Sequence, residues 1–314
     1  MKIYLIGILV AFLTSFVLLL AILPLLRRLK AGQYILGYVK EHKDKGGTPT
    51  MGGLAFITAI IIVGLCVLGF GNGRVNFTLA ITAGYTVVGF LDDYLKISRK
   101  ENEGLKPYQK IIFQVLIATV AAVYCYLNGI TRLKIPFGGG ADFDVSWGII
   151  PLVILIFTAT VNCVNLTDGL DGLAGGTSSA YLLILGIMLG MQGDDTAPLC
   201  FVAVGALAAF LVFNTNKAAI FMGDTGSLAL GGLISCLSIF SSNSLYIPIL
   251  GIMFVISGIS VIVQVIYYKR TRRRVFLMAP VHHHFQMKGY TECKITYAYA
   301  LITALVGIFC LLFV

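Results

Sequence analysis

Five carboxylates carry most of the chemistry this chain could do. Asp92 and Asp93 sit side by side in "GFLDDYLK" (89–96). Asp168 and Asp171 lie three residues apart in "NLTDGLDGLAGG" (165–176), and Asp224 stands in "FMGDTGSLALGG" (221–232). Adjacent carboxylates repel unless a proton or a cation compensates them, and a hard divalent ion with oxygen ligands is the economical compensation. Taken singly, an Asp at a helix end is more often a cap or a hydrated interfacial residue: Asp168 could close a turn and Asp224 could cap the helix that follows. Three acidic clusters at the ends of three apolar runs, with glycines that let backbone approach closely, point instead to one shared site.

Basic and polar residues keep them company. The loop "KDKGGTPTMGG" (43–53) brings Lys45, Thr48 and Thr50 to the start of an apolar run, where free N–H groups could bind an anion; the GxxxxGK[ST] order of a Walker loop is absent. Lys96 falls one helical turn after Asp92 and Asp93 and can reach the same place. Arg99, Lys100, Lys106 and Lys110 follow, and some of these are ordinary anchors of a membrane edge. "APVHHHFQMKG" (279–289) holds His282, His283 and His284. A triplet of this kind can bind metal, shuttle protons, orient a phosphate or simply form a surface turn. Consecutive residues point different ways, so one or two of the three are expected to reach a shared site. Carboxylates with metal, beside lysines, suit phosphoryl transfer, in which a polyanion must be neutralised and held.

The elements that position these residues are membrane helices. Of the 314 residues 58% are hydrophobic and 12% charged, with a mean hydropathy of +0.92, whereas a soluble domain is about a quarter charged. Ten apolar runs are long enough or nearly so to span a bilayer: 3–26, 51–70, 76–91, 111–128, 147–162, 175–192, 197–213, 219–240, 246–268 and 296–314. The first is too long for a secretory signal and lacks its cleavage site, so it reads as a retained helix. No soluble domain, internal repeat or low-complexity tract is left over, and 1–314 reads as one transmembrane domain. Loops after the odd-numbered runs hold 19 of the 23 Lys and Arg, which places both termini outside and those loops in the cytoplasm. The net charge of +9 is this inward bias and calls for no nucleic acid. Ten of the 14 acids lie on the same side; Asp142, Asp144, Asp194 and Asp195 lie on the other and read as solvated. Six of the seven cysteines fall in or beside the spans without CxxC spacing, so no disulfide is expected. Buried acids and glycine-broken helices also occur in secondary transporters, but there the sites lie near the bilayer centre.

Together these motifs, in order, resemble the polyprenyl-phosphate N-acetylhexosamine-1-phosphate transferase superfamily, and most closely its phospho-N-acetylmuramoyl-pentapeptide transferase branch. The "HHHF" segment separates that branch from siblings that use UDP-GlcNAc, which stand as the alternative. The resemblance implies an all-α polytopic protein of the bacterial cytoplasmic membrane with its site on the cytoplasmic face. It implies Mg²⁺ as cofactor, UDP-MurNAc-pentapeptide and undecaprenyl phosphate as substrates, lipid I and UMP as products, and is compatible with a homodimer. Carried over by motif, Asp224, Asp92 and Asp93 would hold the metal. Lys45 would contact the diphosphate or the lipid phosphate, and His282 and His283 would lie at the phosphate or sugar end. Gly169, Leu170 and Asp171 would line a uridine pocket, with Phe221 stacking and Asn214 nearby. Lys96, Asn162, Asn165, Asp168 and His284 complete the substrate-binding set. One departure is Gln286, where the resembled family usually carries Glu. Direct attack by the lipid phosphate, with Asp92 orienting it or acting as base, is favoured over a phospho-enzyme route.

Overall fold

The computed structural model describes residues 1–29, 47–69, 71–99, 103–215 and 217–314; the expectation for Lys45 falls outside them. Ten long helices run in the order α1 (Lys2–Arg28), α2 (Gly53–Leu68), α3 (Gly73–Arg99), α4 (Pro107–Leu127), α5 (Ile149–Thr167), α6 (Leu173–Met191), α7 (Ala197–Asn214), α8 (Gly223–Phe240), α10 (Ile252–Thr271) and α12 (Glu292–Leu311). The single-turn α9 (Ile247–Leu250) precedes α10, and the short α11 (Val281–Met287) carries the histidines. Among the described residues nine helices are long and apolar enough to cross a membrane, and α2, at 16 residues, is a shorter apolar one. The multi-pass all-α class is therefore as expected.

Three differences from the sequence reading bear on the architecture. The third run continues to Arg99 instead of stopping at 91, so Asp92, Asp93 and Lys96 are helical. The ninth breaks at Gly251, whose N–H closes α9 on the Ile247 carbonyl at 2.8 Å. Between α4 and α5 an unexpected antiparallel hairpin pairs β1 (Arg132–Lys134) with β2 (Asp142–Asp144), Leu133 opposite Phe143.

The helix α8 is the axis of the bundle. Every residue from Thr225 to Phe240 is buried, so it is apolar or small all round, as an enclosed helix must be. It lies between α3 and α5. Close approach of α3 depends on Gly89, where a Cβ would fall 2.2 Å from the Asp224 carbonyl oxygen. Outer helices complete two large apolar clusters. One is built on α1, α2, α6 and α7 around Phe56, Tyr181 and Phe210, the other on α3, α4 and α5 around Tyr85 and Phe157.

The two ends of the bundle carry different polar networks. At one end Arg74 of α3 donates to Asp194 at 3.0 Å and to the Phe240 carbonyl at 3.1 Å, and pairs with Asp195. Lys134 reaches Gln192 at 2.7 Å, and Arg132 holds Asp142 at 3.0 Å. The acids expected to be merely solvated there thus include three in ion pairs, because the hairpin and the α6–α7 turn bring arginines to them. The other end gathers Asp92, Asp93 and Asp224.

Candidate active site

The C-terminal ends of α3 and α5 meet the N-terminal ends of α4 and α8. Asp224 opens α8, and its Oδ2 accepts from Lys96 Nζ and from Lys110 Nζ, each at 2.8 Å. Its Oδ1 accepts from Asn165 Nδ2 at 2.7 Å, and that amide also reaches Ser227 Oγ at 2.8 Å. Lys96 pairs in addition with Asp92 Oδ2 at 2.6 Å and lies 3.9 Å from Asp93 Oδ1. Three helices, α3, α4 and α8, are therefore cross-linked through charge, and α5 joins them through the Asn165 amide. In so dry a setting these attractions exceed those of surface pairs, and removing one partner strands the others.

The two adjacent acids do different work. Asp93 is buried, and it accepts from the Asp224 N–H at 3.2 Å, the Thr225 N–H at 3.0 Å and Thr225 Oγ1 at 2.7 Å. It caps α8 from another helix, satisfying N–H groups that have no partner within α8 and meeting its positive dipole end. Asp92 accepts from the Leu105 N–H at Oδ1, at 2.9 Å. Its Oδ2 has no hydrogen-bond donor among the described residues and faces the Lys96 ammonium.

Asp92, Asp93 and Asp224 each offer a carboxylate oxygen, and these lie within 4.8 Å of one another. An all-oxygen donor set fits a hard divalent ion. The buried Oδ2 of Asp92, served only by an ammonium, is the kind of atom such an ion would satisfy. The residues present therefore fit the expected Mg²⁺.

The turn 168–172 follows directly from α5. Asp168 is half-buried, and its carboxyl is pushed up to about 8 by burial and then by the nearby Asp224 and Asp93 carboxylates. Gly169 abuts the histidines: a Cβ there would fall 2.4 Å from His282 Nε2 and 2.9 Å from His283 Nε2, so no side chain fits. His282 is fully buried, and neither ring nitrogen has a hydrogen-bond partner among the described residues. Burial, then His283, lowers its basicity to about 3, which keeps it neutral at physiological pH. His284 turns away. Its Nδ1 accepts from the Leu277 N–H at 3.1 Å and its ring stands edge-on to Phe276, so it fastens its own loop. Two of the three histidines thus approach the turn.

The remaining expected residues brace this end. Asp171 Oδ2 accepts from the Ala218 N–H at 2.9 Å. Its own N–H donates to Glu292 at 3.0 Å, and its carbonyl accepts from Thr296 at 3.0 Å. Asn214 accepts from the Gly172 N–H at 3.0 Å and donates to the Ile220 carbonyl at 2.8 Å. The Leu170 side chain is buried with Leu173, Met253 and Tyr299, leaving backbone and the neighbouring Gly169 to face a ligand. Asn162, one turn before Asn165, donates to Gln114 at 2.6 Å. Phe221 is half-buried, and its N–H pairs with the Pro49 carbonyl at 2.8 Å, which ties "GTPTMGG" to "FMGDTG". The sequence does not mark Lys110, Ser227 or Glu292 as site residues. Lys110 reads in sequence as one more basic anchor, and only the fold reveals its contact with α8; Glu292 does follow a capping Thr291, whose Oγ1 accepts from the Lys294 N–H.

Comparison with known proteins converges on the same chemistry. The family described as Glycosyl transferase family 4 matches residues 75–242. Three curated relatives share the description phospho-N-acetylmuramoyl-pentapeptide-transferase. The one from Bacillus subtilis (strain 168) is 42% identical, covering 98% of this chain and 98% of its own. That from Geobacillus kaustophilus (strain HTA426) is 43% identical over 96% and 95%, and that from Clostridioides difficile (strain 630) is 41% identical over 95% and 94%.

Proposed function

The chain belongs to the phospho-N-acetylmuramoyl-pentapeptide-transferase family, and we propose that the carboxylate–lysine cluster at the junction of α3, α4, α5 and α8 is where it works. It is a membrane transferase of the bacterial cytoplasmic membrane that moves phospho-MurNAc-pentapeptide from its UDP carrier to undecaprenyl phosphate, giving lipid I and UMP, with Mg²⁺. The single observation that carries the assignment of the site is the convergence of Asp92, Asp93 and Asp224 on one spot, with Lys96 and Lys110 both on Asp224.

In this reading an oxygen of the lipid phosphate forms a bond to the sugar-side phosphorus of the diphosphate, and the bond from that phosphorus to the bridging oxygen breaks. The bridging oxygen leaves with UMP. A phosphate monoester is already largely ionised at neutral pH, so Asp92 serves chiefly to orient the attacking oxygen. Lys96 and Lys110 spread positive charge over the diphosphate oxygens as the bond order shifts. Asp92 and Asp224 would hold the Mg²⁺, with Asp93 fixing the start of α8 behind them. When bound, the ion supplies the Lewis acidity that steadies the leaving oxygen. The turn 168–172, with Phe221 and Asn214, takes the nucleotide, and His282 and His283 lie toward the phosphates or sugar. The excess of Lys and Arg in the loops on this side supports a cytoplasmic active-site face. We read 1–314 as one transferase domain, because the relatives align over nearly all of it. A homodimer is compatible with the family resemblance, and native mass spectrometry in detergent reads the oligomeric state directly.

Purified protein with Mg²⁺, undecaprenyl phosphate and UDP-MurNAc-pentapeptide is expected to release UMP, while UDP-GlcNAc is not used. Asp92→Asn and Asp224→Asn are expected to be folded and nearly inactive; normal turnover by both would remove the cluster as the site. A burst of UMP without lipid acceptor would replace direct attack by a phospho-enzyme route.

A further inference from the structure

Gln114 is the one amide in the apolar stretch 111–124 of α4, and it is fully buried. A buried amide costs stability unless its hydrogen bonds are met, and this one meets them only at its oxygens. Its Oε1 accepts from Asn162 Nδ2 of α5 at 2.6 Å, and the same Nδ2 donates to the Thr158 carbonyl at 2.7 Å. A carbonyl can only accept, so Asn162 turns its NH₂ group to both, and Gln114 must present oxygen to it. The Gln114 amine is thereby left buried with no hydrogen-bond partner among the described residues. The backbone of Gln114 ties α4 to a third helix, because its carbonyl accepts from the Tyr85 hydroxyl of α3 at 3.1 Å. Tyr85 is itself held fast. Its ring stacks on Phe157 with centroids 5.9 Å apart, and Gly232 presses on it so closely that a Cβ there would fall 2.5 Å from the ring.

We propose that Gln114 is a positioning residue for the transfer reaction: it fixes α4 on α5 and α3 so that Lys110, one turn nearer the site, lands on Asp224. The α4 helix packs chiefly on α5 and α3, and it meets the acid of α8 through the Lys110 side chain, 2.8 Å from Asp224 Oδ2. Where that side chain arrives is therefore set by how α4 sits on its two neighbours. Gln114 and Lys110 are four residues apart and share one face of α4. The bond of Gln114 to Asn162 forms one rung between α4 and α5, and the contact of Lys110 with Asn165 Oδ1, at 3.5 Å, forms the next. A slip of α4 that broke the first rung would draw Lys110 away from the second and from Asp224. Stability alone gives no reason for the amide. Leucine in its place would remove the stranded amine and leave Asn162 its bond to Thr158, and trading a half-met buried polar group for an apolar one is close to neutral. What leucine would lose is the register.

The proposal rests on the transferase reading above, and its test separates the two. Gln114→Leu and Gln114→Met, alone and combined with Lys110→Met, are compared with the unmodified protein in UMP release and in thermal melts in one detergent. Methionine is unbranched and close to glutamine in length, so a packing fault peculiar to leucine shows as a difference between the two. Both single variants are expected to melt within about 3 °C of the parent. Both are expected to lose about tenfold in kcat/KM, because a long, flexible lysine recovers part of a contact whose full misplacement costs more. In the Lys110→Met background the same substitutions should change kcat/KM by less than about twofold, since the residue they act through is gone. A further readout needs no turnover: limited acetylation of the folded protein by an amine-reactive ester, with each lysine followed by peptide mass spectrometry. In the parent Lys110 is paired and its side chain is 17% exposed. It should label severalfold faster in both Gln114 variants, because an amine released from a carboxylate gives up its proton more readily. Unchanged kcat/KM and labelling in the Gln114 variants, or the same tenfold loss repeated without Lys110, would overturn the proposal. So would a fall in melting of more than about 10 °C in both variants, which would make Gln114 a purely structural residue. If the unmodified protein releases no UMP while Lys110 labelling still rises in the variants, the transferase reading fails and the placement of Lys110 by Gln114 stands.

Discussion

Replacing Gly89 by alanine tests whether the contact between α3 and α8 sets the geometry of the site. An added Cβ would lie 2.2 Å from the Asp224 carbonyl oxygen, 2.5 Å from its carbon and 2.6 Å from Thr225 Cα. These are backbone atoms of a fully enclosed helix, so no side chain can swing aside. Reaching an ordinary 3.4 Å contact requires α3 and α8 to part by about 1.2 Å. Helix propensity alone favours alanine over glycine by about 1 kcal/mol. Overpacking a tight core costs about 1–3 kcal/mol, so the contact wins on stability by a small margin. Its effect on turnover is larger, because Asp93 and Lys96 ride on α3 and Asp224 on α8, and an error near 1 Å in a reacting constellation costs about a hundredfold. The control is Gly84→Ala on the same helix, where the nearest atom to the new Cβ is Ile117 Cδ1 at 3.5 Å. UMP release and thermal melts in one detergent should show Gly84→Ala active and no less stable than the parent. Gly89→Ala should be about a hundredfold slower and less stable than the control. Equal turnover and equal melting of the two alanine variants would refute the reasoning.

Three further outcomes are expected. Lys110→Met removes one of the two ammoniums on Asp224 and should lower kcat/KM about a hundredfold or more in the UMP assay; a loss below threefold would make Lys110 a mere anchor. His282 has its basicity pushed down to about 3 by burial, against about 6.5 in the unfolded chain. The unfolded chain takes up the proton first, so stability is full above about pH 6.5 and falls toward about pH 3, by up to ~1.4 kcal/mol per pH unit. His282→Phe should flatten that acid limb in melts at a series of pH values, and an unchanged slope would show that His282 does not set it. Arg74→Ala breaks the ties to Asp194, Asp195 and the Phe240 carbonyl and should cost about 1 kcal/mol of stability, because Arg74 is partly exposed. It should leave kcat within about twofold, since remote sites act independently; a large loss of kcat would show that the two ends are coupled.

The helices were legible in the sequence because lipid-facing residues must be apolar, and hydropathy detects them directly. It failed where burial was in protein instead of lipid. The α3 extension from 92 to 99 is polar, yet its acids are enclosed by α8 and by the loop at Leu105, so helix continues where an apolar run stops. The hairpin strands have three residues each and pair across a polar loop, which leaves too little periodicity to read. Within the site the acidic triad was legible from charge in an apolar chain. The distinct part played by Asp93 was not, because capping α8 from α3 is a contact between residues 131 and 132 positions apart. Lys110 was hidden for the same reason, and its type and location matched those of every other inner-face cation. Asp171 and Asn214 lie beside the turn 168–172, and the sequence carries no sign that their side chains fasten backbone.

Because α8 is buried from Thr225 to Phe240, protein and not lipid surrounds the rod that carries Asp224. Changes in bilayer thickness or fluidity press on the outer ring of helices and reach the carboxylates only after passing through a layer of packed protein. The carboxylates proposed to react stand at the head of a helix that is suspended as if in a soluble core. A catalyst mounted this way can serve a lipid substrate while remaining indifferent to the particular lipids around it.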